Sequence, residues 1–163
     1  MTPTIRIAVL SLWLGAAMFF SVVVAPSVFG VLRGFDLVNS GEIAGTIVNR
    51  TLRVINISGF IVGLVLLLLA LWRRNEGGLS FMLNLCALSL MTVATAVGHW
   101  IVAARLGALR LAMAVPIDEV DLADQRRLAF SRLHSYSVTL LSIAMLAAIA
   151  GIIVSSAMRG RRN

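Results

Sequence analysis

Residues 54–72 read VINISGFIVGLVLLLLALW, an uncharged run closed by Arg53 on one side and Arg73 on the other. About 20 apolar helical residues, rising 1.5 Å each, cross a hydrocarbon core about 30 Å thick, so this run is long enough to span once. Residues 7–32, 79–104 and 133–158 form three more runs of the same kind. An unpaired backbone amide in hydrocarbon costs several kcal/mol. The alternation of a lipid-facing barrel strand is missing from all four runs, so each is read as a helix. The sequence predicts an all-α integral membrane four-helix bundle. It forms a single domain over residues 1–163, with a short interfacial helix before span two.

Composition agrees. Of 163 residues, 60% are hydrophobic and 13% charged, with a mean hydropathy of +0.97. A soluble domain carries about 25% charged residues. A chain this short cannot bury so much apolar surface within itself and must share it with lipid. The net charge of +7 comes entirely from arginine, since the chain has no lysine. These arginines bracket the apolar runs instead of forming one basic face, which reads as membrane-edge charge and not as a nucleic-acid surface. The single cysteine, Cys86, lies in an apolar run and excludes an internal disulfide.

The first run exceeds the 7–15 residues of a signal-peptide core, and Ala25-Pro26-Ser27 is a poor cleavage site, so it is expected to remain as span one. Pro26 should kink or end that helix near its far side. The turn at 73–78 makes spans two and three an antiparallel hairpin. Before span two, Asn39 stands at a capping position with Glu42 three residues on. Span three should continue to Pro116. Asp118, Glu119, Asp121 and Asp124 then place negative charge where a helix dipole is positive, so the last helix is expected to begin near Asp118.

Four crossings put both termini and the tight turn on one side. Arg73, Arg74, Arg159, Arg161 and Arg162 abut membrane ends there, which predicts cytoplasmic termini for a multi-pass membrane protein. Helices in lipid associate through small residues and polar contacts. Gly59 and Gly63, Ala94 and Gly98, Ala147 and Gly151, and the cluster Gly15-Ala16-Ala17 mark such faces, for the bundle itself or for a homodimer. Asn56 and Asn84 are expected to bond across helices.

Candidate chemistry is sparse. His99 lies near the end of run three and His134 at the start of run four, so the topology brings both to one membrane face, with Pro26, Phe29 and Asn56. One reading is copper or haem held by this pair, with Met113 or Ser137. The plain alternative is an interfacial histidine beside Trp100 and a helix-bonded His134. No catalytic triad order, HExxH, phosphate-cradling loop or dinucleotide fingerprint occurs, and no acid falls inside a run. Neither an intramembrane charge nor an inverted repeat marks a coupled transporter, although an oligomeric pore remains a third reading.

The stretch from Leu12 and Trp13 through Gly15 to Pro26 and Phe29 resembles the opening of the transmembrane protein 205-like family. Arg127 to Ser137, with Phe130, His134 and Ser137, is similar to the Phe-x-x-Leu-His-x-x-Ser start of that family's last helix. Where the family often continues with asparagine, this chain has Val138. The resemblance implies a four-span membrane protein and supplies no established reaction. A more distant likeness to copper-resistance D-type proteins rests on helical plan and histidines alone. The expected function is a non-enzymatic accessory or binding protein. Its partners are the lipid bilayer and either a second copy or another membrane protein, with no nucleic acid.

Overall fold

The computed structural model describes residues 3–35, 37, 39–72 and 78–160. Span one consists of α1 (Pro3–Phe19), a π-helical segment (Phe20–Val24) and α2 (Ala25–Gly34). Span two is the single helix α3 (Ser40–Trp72). Span three joins α4 (Leu79–Ala96), a second π-helical segment (Val97–Ala103) and α5 (Ala104–Met113). Span four is α6 (Gln125–Gly160). All four are long and apolar enough to cross a membrane, and no strand occurs among the described residues.

Span one packs on α3 and α6, and α4 packs on the same two helices. The order around the bundle therefore follows the order along the chain, as short antiparallel connections favour. Each span buries one narrow stripe. In α1 it runs Leu10, Trp13, Ala17 and on to Phe20; in α6 it runs Ser137, Leu141, Ala144, Ala148, Gly151 and Ser155. Alternating steps of three and four residues keep such a stripe facing its neighbours when helices cross at shallow angles.

The remaining apolar surface points outward. Only 22% to 44% of each span's most apolar window is buried inside the bundle. Leu12, Leu68, Val93, Leu146 and Ile153 are all exposed, as is Cys86. Water would penalise every one of these side chains, whereas lipid does not. This is the arrangement of a membrane bundle.

Close approach is concentrated at glycines. A methyl group on Gly59 would sit 2.7 Å from the Trp13 ring, one on Gly63 2.5 Å from the Thr92 hydroxyl, and one on Gly151 3.2 Å from Leu10. Gly98 faces the Asn56 amide at 3.4 Å. Each glycine admits a side chain from another helix where a larger residue would hold the helices apart. Gly15 differs: its missing side chain would meet open space.

Four local expectations need correction. The helix expected before span two is present, but it is the first part of α3. Nothing between Thr46 and Ser58 breaks the backbone ladder, so no separate interfacial element forms. Pro26 does not end span one. The Ala25 amide donates to the Phe20 carbonyl five residues back, and this π register places Pro26 in the first turn of α2, where a missing N–H is tolerated. The last helix begins at Gln125 and not near Asp118, because the acids are spent on turns and caps. Asp121 Oδ1 accepts the Ala123 amide at 2.8 Å, in a stretch whose backbone turns at Glu119 N to Pro116 O and at Asp124 N to Asp121 O. The Arg126 amide donates to Asp124 Oδ1 at 2.7 Å, which caps α6. Asn84 is buried with neither end of its amide hydrogen-bonded among the described residues, so it supplies no cross-helix bond. The turn at 73–77 and Arg161 and Arg162 lie outside the described residues, as does the Arg159 side chain.

Candidate functional site

The end of the bundle at which α2 leads into α3 and α5 into α6 is held by polar contacts between elements distant in sequence. Asp118 Oδ2 accepts the Gly41 amide at 3.1 Å, so a loop carboxylate satisfies one of the open donors at the start of α3. Arg110, near the end of α5, pairs with Glu42 at 3.0 Å, reaches the Thr46 hydroxyl at 3.4 Å, and sits 5.6 Å from the centre of the Phe130 ring. One guanidinium thus ties α5 to both α3 and α6. Nearby, Arg126 donates to the Ala112 carbonyl at 2.9 Å, and Arg127 donates to the Val120 carbonyl. The end is a braced frame and not a loose set of loops.

Two cavities open just beneath that frame. The first holds about 180 Å³ and lies between span one, α3 and α6. Phe20, Phe29, Val48, Leu52 and Met145 supply its apolar walls. Four polar side chains join them, but two are already committed: Ser21 donates to Ala17 O and Ser142 to Val138 O. Ser137 and His134 remain. Ser137 is buried, His134 is exposed, and neither has a hydrogen-bond partner among the described residues. An apolar pocket with a few uncommitted polar groups is the usual form of a small-molecule site.

The second cavity, about 450 Å³, lies between α3, α5 and α6 and has a different lining. Asn49, Arg50, Arg53 and Asn56 project into it from α3, faced by Leu106 and Gly107 of α5. Asn49, Arg53 and Asn56 follow one another at steps of four and three, which puts them on one face of the helix. Leu52 and Ser137 line both cavities, so the apolar chamber and the polar one adjoin.

The π-helical segments border these spaces. Phe20 and Ser21, in the first, wall the apolar cavity, and Ala103, in the second, walls the polar one. A single wide turn widens the helix locally, which is why such turns recur at ligand sites.

The residues singled out from sequence fall in three groups. His134, Ser137 and Phe29 meet in the apolar cavity, and Pro26 stands one residue beyond Ala25 in its wall. Phe130 belongs to the Arg110 brace. Trp13, Gly59, Gly63, Gly98 and Gly151 are packing positions at helix contacts, while Gly15 faces open space. His99 lines neither cavity: it lies in the second π segment with its ring edge-on to Trp100 at 4.8 Å, and its Nδ1 is buried without a partner among the described residues. Met113 is buried at the end of α5 and also lines neither. Sequence reasoning passed over Asn49, Arg50 and Arg53, although their helical spacing beside Asn56 was visible.

Fold and site define a small polytopic membrane protein with a cavity near one end of its bundle. The chain belongs to the family described as domain of unknown function DUF4149, whose pattern matches residues 8–114, about two thirds of the chain. The matched region contains the stretch from Leu12 to Phe29 and ends before Phe130, His134 and Ser137. No curated protein and no solved structure matches the chain.

Proposed function

We propose that this protein is a non-enzymatic binding protein of the membrane, taking the apolar part of a small ligand into the cavity walled by Phe20, Phe29 and Leu52. The observation that carries this reading is the pairing of that apolar chamber with two uncommitted polar groups, Ser137 and His134. The apolar walls accept an apolar group, while the hydroxyl and imidazole fix its orientation. The chamber lies among spans that face lipid, so a ligand can arrive from within the bilayer. The likeness to the transmembrane protein 205-like family belongs to this proposal, as do a bacterial inner-membrane location and cytoplasmic termini. Reporters of cytoplasmic and exported location fused to the C-terminus test the last point: an active exported reporter reverses the orientation.

The binding test is mass spectrometry of the chain purified from native membranes, compared with Ala25→Leu and Ser142→Leu, which fill the chamber from α2 and from α6. The wild type should carry a small molecule or lipid that both variants lose. A wild type that carries nothing overturns the proposal.

A second reading, copper or haem bound through His99 and His134, is favoured by the Nδ1 of His99, which is buried with no partner among the described residues. Metal analysis of the purified protein and of the His99→Ala/His134→Ala variant decides it. Metal or haem in the wild type that the variant loses supports this reading, and none in the wild type ends it.

A further inference from the structure

We infer that the polar cavity beside the chamber is an anion subsite, and that the two together bind one anionic amphiphile. Its headgroup is held by Arg50 and Arg53, and its acyl chain passes Leu52 and Ser137 into the apolar chamber. This inference rests on the binding reading above and specifies its ligand class. Three observations point the same way. First, no carboxylate pairs with Arg50 or Arg53 among the described residues, whereas Arg110 and Arg126 are both paired. Second, Asn56 is 4% exposed and lines the cavity, yet its amide has no hydrogen-bond partner among the described residues. The amide opens onto the cavity and offers a donor to a group bound there. Third, the cavity shares two wall residues with an apolar chamber. A free inorganic anion would use only the polar cavity, and a hydrocarbon only the apolar chamber. A molecule with an anionic end and an acyl chain uses both.

Position supports the chemistry. Arg53 immediately precedes the uncharged run of span two, which places both guanidiniums at the level of lipid headgroups. A guanidinium presents a planar fork of donors that matches a phosphate or a carboxylate, and Asn49 and Asn56 add amide donors on the same face.

The full chain is purified in a non-ionic detergent and offered equal amounts of phosphatidylglycerol and phosphatidylcholine with identical acyl chains, and retained adducts are read by native mass spectrometry. The wild type should prefer phosphatidylglycerol by about tenfold or more, the effect of one or two charge-assisted hydrogen bonds. Arg50→Gln/Arg53→Gln should bring the ratio close to one. Arg105→Gln, which alters an arginine outside the cavity, should leave it unchanged. A parallel arm adds inorganic phosphate. If phosphate alone raises the unfolding temperature as much as the lipid does, the site takes a free anion and the amphiphile is overturned. Equal retention of both lipids, lost together in Ala25→Leu, overturns the anion subsite while leaving the binding reading intact. Retention of neither lipid overturns both.

Discussion

The indole of Trp13 lies against the bare backbone of Gly59 and donates its Nε1 hydrogen to the Ile55 carbonyl at 3.1 Å, across the contact between α1 and α3. Trp13 is 4% exposed. An indole in so apolar a place needs a partner for its N–H, and the ring occupies the space that Gly59 leaves. Shape and hydrogen bonding are therefore satisfied by one pair, and each member is of use only with the other.

Gly59→Ala should destabilise the bundle by roughly 1–3 kcal/mol, since the new methyl would meet the ring at 2.7 Å and force the helices apart. Trp13→Leu in the same background should recover part of the loss, because the smaller side chain vacates that space. Thermal unfolding of both variants in one detergent measures this. Simple additivity of the two substitutions would disprove the coupling.

Gly15→Ala should instead leave stability unchanged or raise it by up to about 1 kcal/mol, because its side chain would meet nothing among the described residues and alanine orders a helix better than glycine. Gly63→Ala, made alongside, should be harmful, since its methyl would lie 2.5 Å from the Thr92 hydroxyl. Melting of the two variants in parallel separates a packing glycine from an idle one. A harmful Gly15→Ala would place an unseen partner on that face.

Asn84→Leu should stabilise the protein. The asparagine is 1% exposed with both amide ends unsatisfied among the described residues, and such a group carries a desolvation cost of about 1–3 kcal/mol that an apolar side chain of the same branching avoids. The measurement is again thermal unfolding in detergent. A fall in stability would mean that the amide is satisfied in the native bilayer, by a second copy or another partner.

These pairs explain what the sequence could and could not tell. Four spans are legible from residues 54–72 and their counterparts, because length and hydropathy are properties of one segment at a time. Gly15 and Gly59 look alike in that reading, since both are small residues in apolar runs. Only the rotation of each helix decides that one faces Trp13 and the other faces open space. The same limit applies at the site. His134 and Ser137, three residues apart on α6, share a cavity as their spacing allows. His99 sits on a different helix, where a π-helical segment alters the rotational phase, and it lines neither chamber. Asp118 was misread for another reason: an acid in front of a helix caps whichever helix its loop reaches, and this loop reaches α3 at Gly41.

Asp124 should make stability depend on pH in a narrow acid window. Its carboxyl is held down from 3.8 to about 2, first by the hydrogen bond from the Arg126 side chain, then by the Arg126 amide and the guanidinium charge. The Arg126 Nη2 to Oδ2 distance is 2.8 Å. Because the folded value lies below the unfolded one, the folded state holds the proton less tightly. The contribution is fully present above about pH 4 and disappears as pH falls through about 2. Asp124→Asn keeps a side chain that can cap α6 but removes the charge. The difference in unfolding temperature between wild type and variant should therefore be constant near neutrality, close between pH 4 and pH 2, and shrink with added salt, since the pair is exposed. A difference that persists unchanged at pH 2 would assign the effect to cap geometry and not to the ion pair.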